Sequence, residues 1–118
     1  MKREIRVTSD GSSTIYLPDW DENYHSTHGA IQESKHVFIS KGLEAILLSE
    51  ISILEIGFGT GLNCFITFLE AKKSNLKIDY VGVEAYPVTE DEVVKLNYVS
   101  ELKAESQQEV FNEMHQCS

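Results

Sequence analysis

A chain of 118 residues has room for one domain with a modest core. Its 42% hydrophobic content is that of a globular protein and excludes disorder throughout, and no apolar run approaches the ~20 residues of a membrane span. The formal charge of -9 is uneven, with eight acids against two lysines in residues 84–118, and such a surface does not draw in nucleic acid by charge alone.

Met1-Lys2-Arg3-Glu4 leads straight into strand-like sequence with no apolar signal segment, and Cys64 and Cys117 lack C-x-x-C spacing. These features predict free thiols and a cytoplasmic protein. Residues 4–8 and 14–17 alternate apolar and polar around Asp10-Gly11, a turn signal, and read as a β-hairpin. Residues 18–22 read as polar loop around Trp20. Ser26 or Thr27 is placed to cap a helix that starts near Gly29, carries Ile31, Phe38 and Ile39, and stops at Lys41-Gly42. Residues 43–48 read as a second short helix. The expected organisation is thus an N-terminal β-hairpin and helical extension over residues 1–48, followed by an α/β domain over residues 49–118.

Residues 51–63 organise the rest. An apolar, β-branched run reads as a buried strand ending near Ile56. Gly57, Gly59 and Gly61 follow at alternate positions, and a helical pattern with Leu62, Phe65, Ile66 and Leu69 on one face starts at once. Glycine permits positive φ and lets a ligand approach the main chain, while the helix start behind it offers free N–H groups. Spacing narrows the ligand. A dinucleotide fingerprint would need glycine at position 62, which is Leu62, and a P-loop would need Lys-Ser/Thr where Leu62-Asn63 stands. Glu55, two residues ahead of Gly57, suits a cationic ligand and repels a pyrophosphate.

Residues 78–84 read as a second strand, parallel to the first because a helix separates them. Glu84 then falls at its C-terminal end, where an acid can accept both hydroxyls of a ribose. Tyr86 is placed either against an adenine or over the sheet end. Thr89 and Glu92 form a capping box opening a helix through Val93, Val94, Leu96 and Asn97, and residues 101–114 are helical in propensity. His25-x-x-His28 with Glu33 has no third ligand at zinc-like spacing, so these are structural or substrate-contact residues and no metal is expected.

The run Glu55-x-Gly57-x-Gly59-x-Gly61 resembles the first motif of class I S-adenosylmethionine-dependent methyltransferases. Together with Asp10-Gly11-Ser12, Tyr16, Tyr24-His25-Ser26, Gly29-Ala30, Glu33, His36-Val37-Phe38 and Phe58, it resembles one family over about residues 8–90. That family is the tRNA methyltransferase completing 5-methylaminomethyl-2-thiouridine at the wobble position, which in some bacteria is fused to a flavin oxidoreductase. The resemblance implies an α/β, Rossmann-like class I methyltransferase fold, S-adenosyl-L-methionine as cofactor, tRNA as substrate, and an FAD-dependent oxidoreductase as domain or partner. Carried over, Glu55, Gly57, Gly59 and Gly61 hold the cofactor's methionine end and Glu84 its ribose, and Phe58, Thr60, Asn63 and Tyr86 complete the expected cofactor-binding set. Tyr24, His25 and Glu33 lie near the methyl group or the incoming base, with the proton acceptor unassigned.

The family's fold has further parallel strands and an acidic segment for which residues 99–118 are too short and too polar. The fold is therefore expected to be incomplete, the chain truncated and weakly active or inactive alone, and its uncovered sheet prone to self-association. Competing readings are a small-molecule methyltransferase, a non-catalytic oligomerisation module, and an NAD-type oxidoreductase, the last disfavoured by Leu62.

Overall fold

The computed structural model describes residues 2–43 and 49–116. Strands β1 (Glu4–Val7) and β2 (Ser13–Leu17) pair antiparallel, with Glu4 opposite Tyr16 and Val7 opposite Ser13. A short β3 (Glu22–Asn23) extends the hairpin to three strands, at the end of the stretch read as loop.

Helix α1 (Ala30–Glu33) continues as a π-helical segment, Ser34–Ser40. Neither Ser26 nor Thr27 caps it; the N-cap is Gly29, without a side-chain bond. The hairpin turn supplies the acceptors instead. Ala30 N–H donates to Thr8 Oγ1 (3.0 Å), Ile31 N–H to Ser12 Oγ (3.1 Å) and Gln32 N–H to Asp10 Oδ2 (2.9 Å). A remote turn therefore does what a cap normally does for the unpaired donors of a first helical turn. The approach is close: a Cβ on Gly29 would stand 2.6 Å from Asp10 Oδ2. The short helix expected over residues 43–48 falls, beyond Leu43, outside the described residues.

Next come β4 (Glu50–Ile56), α2 (Leu62–Ser74) and β5 (Lys77–Val83). The strands are parallel and in step, from Glu50 beside Lys77 to Ile56 beside Val83. Helix α2 buries Leu62, Phe65 and Ile66, while Ile51, Ile53 and Ile78 pack against the same apolar cluster. The expectation of a buried strand is corrected here. Only one face of β4–β5 is covered, and Leu54 and Ile56 on the other are 64% and 77% exposed.

Thr89 and Glu92 do form the capping box, opening α3 (Glu90–Val93). The helix expected to continue through Asn97 stops at Val93, because Asn97 is committed elsewhere. Its Oδ1 accepts from Ser13 N–H and Oγ–H (both 2.7 Å), and its Nδ2 donates to Gly11 O (2.8 Å). Helix α4 (Tyr98–Glu101), a 3-10 turn and α5 (Gln108–Met114) follow. Ile15, Ala30 and Ile39 share one buried cluster with Phe65, Val93, Tyr98 and Phe111, so hairpin, helical segment and α/β part meet in a common core.

Candidate functional site

The glycine turn sits past the C-terminal end of β4. Gly57, Gly59 and Gly61 take φ of 84°, 59° and 78°, which an L side chain rarely adopts. A Cβ at Gly57 would meet nothing within 4 Å, so the main chain there faces open space. The turn is anchored to the neighbouring strand by Gly57 and Phe58 N–H, both donated to Val83 O (2.8 and 3.0 Å).

Glu84 follows β5 directly. Its Oε1 accepts from Gly59 N–H at 2.7 Å and its Oε2 from Tyr86 N–H at 3.1 Å, so the carboxylate stands against the glycine turn. Glu55 faces the other way along the turn. Its Oε1 accepts from Tyr80 O–H (2.7 Å) and its Oε2 from Asn63 Nδ2 (2.9 Å), while Ser34 Oγ–H donates to Asn63 Oδ1 (2.5 Å). Burial raises the Glu55 pKa, the two hydrogen bonds oppose that, and the Glu84 charge adds to the rise. Burial and the Glu55 carboxylate raise the Tyr80 pKa strongly, which keeps its hydroxyl a donor.

Two cavities flank the turn and share Phe58 and Gly59. The first, about 220 Å³, is lined by Tyr24, His25, Glu33, Ser34 and Phe38 from the N-terminal part, and by Glu55, Gly57, Thr60 and Asn63. The second, about 530 Å³, is lined by Glu84, Tyr80, Gly82, Cys64, Pro87, Met114 and His115. Of the residues singled out in the sequence, Gly61 and Tyr86 line neither, and Tyr86 is 61% exposed. His25 is pushed by burial to a pKa of about 4 and is therefore neutral at pH 7. Its Nδ1 pairs with Thr14 Oγ1 (2.9 Å), whereas His28 is exposed, so the two imidazoles stand in different surroundings. Glu33 Oε2 accepts from Ser26 N–H (3.1 Å), bracing the Tyr24–Ser26 stretch against α1.

Tyr80, Ser34 and His115 belong to the site and were missed in the sequence. Tyr80 carried a signal, since strand alternation puts it on the covered face with Ile78; Ser34 and His115 reach the site only through tertiary packing.

The chain is 34% identical over 106 residues to the "tRNA 5-methylaminomethyl-2-thiouridine biosynthesis bifunctional protein MnmC" of Leptospira interrogans, a match covering 81% of this chain and 16% of that protein. It is 38% identical over 98 residues to the protein of that name from Delftia acidovorans, covering 77% of this chain and 15% of the relative. The chain is homologous to the N-terminal region of the MnmC proteins. It spans less than a fifth of the length of these MnmC relatives. Among solved structures, MnmC2 from Aquifex aeolicus superposes with a TM-score of 0.65 at 35% identity, over 75% of this chain and 31% of that one. The α/β fold class read from the sequence agrees with that likeness. No family model matches the chain. Among the described residues no helix is long and apolar enough to cross a membrane, and no group of three His, Cys, Asp or Glu side chains is arranged to hold a metal.

Proposed function

We propose that the chain is the first part of an S-adenosylmethionine-dependent methyltransferase acting on the aminomethyl group of a modified wobble uridine in tRNA. The observation that carries the cofactor reading is the charge of the site. Two carboxylates, Glu55 and Glu84, stand on either side of a glycine turn, and among the described residues no Lys or Arg lines either cavity. Burial lowers the pKa of both lining histidines, His25 and His115, so they add no positive charge at neutral pH. Such a site suits a ligand carrying a sulfonium and an ammonium and rejects a pyrophosphate.

When bound, the cofactor supplies a methyl group on positively charged sulfur. Glu55, held by Tyr80 and Asn63, would face the ammonium end, with Gly57, Thr60 and Gly61 shaping the turn. Glu84, with a lone pair free on each oxygen beyond its backbone bonds, would take the ribose hydroxyls. Tyr24, His25 and Glu33, which line the first cavity beside the turn, would meet the incoming amine, aligning it and keeping it unprotonated. The substrate part of the reading rests on the likeness to the MnmC proteins of Leptospira interrogans and Delftia acidovorans.

Calorimetry with S-adenosylhomocysteine tests the cofactor reading. Binding that Glu84→Gln weakens by about tenfold supports it, through loss of charge-assisted ribose bonds. Binding of reduced nicotinamide dinucleotide in its place would overturn it.

A further inference from the structure

Arg3 has no part in the site as described above. It lies one residue ahead of β1, yet its side chain is only 13% exposed. Nη1 donates to Tyr86 O at 2.8 Å and Nη2 to Pro87 O at 3.2 Å, more than eighty residues along the chain. Nη2 also lies 2.9 Å from Glu92 Oε1, the same oxygen that accepts Thr89 N–H in the α3 capping box. One guanidinium thus grips two successive carbonyls of the turn after β5 and the helix start that ends it. Glu84 opens this turn and Pro87 lines the second cavity.

We propose that Arg3 is a positioning residue for the adenosyl end of the ligand, holding the turn over residues 84–89 so that the Glu84 carboxylate stays against Gly59. This rests on the cofactor reading given above. The planar fork of arginine matches two carbonyls and a carboxylate at once, a geometry the point charge of lysine cannot reproduce. Burial acts to lower the Arg3 pKa, and the Tyr24 hydroxyl and Glu92 carboxylate raise it above its ordinary value.

The test compares the wild-type chain with Arg3→Lys and Arg3→Gln. Amide hydrogen exchange should accelerate about tenfold at Gly59 and Tyr86, the two N–H groups on Glu84, with Phe65 in α2 unchanged. Calorimetry should show S-adenosylhomocysteine and 5′-methylthioadenosine, which share the adenosyl half, weakened by the same factor of about ten. Arg3→Lys should recover little of either, although it keeps the charge facing Glu92. Unchanged exchange, or wild-type binding that both variants leave intact, overturns the Arg3 proposal alone. A wild-type chain that binds neither compound overturns the cofactor reading and the Arg3 proposal with it.

Discussion

The Phe58 ring fills the space that side chains at two glycines would need. A Cβ at Gly82 would stand 2.3 Å from Phe58 Cδ1, and one at Gly61 would stand 3.0 Å from Phe58 Cε2. Gly82→Ala should therefore destabilise the fold by about 1–3 kcal/mol, the usual range for overpacking. Urea unfolding measures this, and Phe58→Leu in the same chain should recover part of the loss, because the two changes share one contact. His25 gives a pH dependence at the same scale. Its folded pKa of about 4 lies below the ordinary value of 6.5, so between those values the unfolded chain binds a proton that the native chain does not. Stability is full above 6.5 and is lost as pH falls toward 4, by on the order of 3 kcal/mol. His25→Asn should flatten that slope in urea midpoints taken across the window, leaving the smaller contribution of His115, whose pKa is lowered in the same direction. The position of the glycine turn between β4 and α2, and of Glu55 and Glu84 at the strand ends, was legible because strand, turn and helix periods are local signals. The Tyr80–Glu55 bond was not, since it exists only when β5 lies in register beside β4.

Among the elements, the one whose cap was misread is the most informative. Ser26 and Thr27 carry a local capping signal, yet α1 takes its acceptors from Thr8, Asp10 and Ser12. Propensity sees neighbours in sequence, and a cap delivered from about twenty residues away lies beyond it. Asp10→Ala should cost about 1–2 kcal/mol in urea unfolding, in the range for removing a cap, and Ser26→Ala much less. Asp10 should also report by titration. Burial acts to raise its pKa, but bonds from Ser12, Gln32 and Thr8 outweigh that and lower it. Its contribution is therefore present above the ordinary carboxylate range and is lost as pH falls through the folded value. The helix break at Asn97 has the same cause as the displaced cap: a side chain consumed by Ser13 and Gly11, 84 and 86 residues away, leaves no trace in local periodicity.

At the scale of the whole molecule, the expected exposure of the sheet takes a more specific form. Leu54 lies beside Val81 and Ile56 beside Val83, giving a block of four apolar side chains on one face, each about half exposed or more. Among the described residues no other strand pairs with β4 or β5, so each keeps an open edge. An exposed apolar face joined to an unpaired edge is a template for strand addition. For these 118 residues on their own the prediction is that β4 pairs with its own twin across a two-fold axis, which closes the contact and joins the two apolar faces. The expected outcome is a mass by light scattering that rises with protein concentration. Leu54→Lys with Val81→Lys should return it to the monomer value while the far-UV spectrum stays unchanged. At a net charge of -9 two copies repel, so added salt should strengthen association if apolar burial drives it. A wild-type chain that remains monomeric at high concentration in high salt would remove this reading, and the bare face would then be held in water by charge on the surrounding surface.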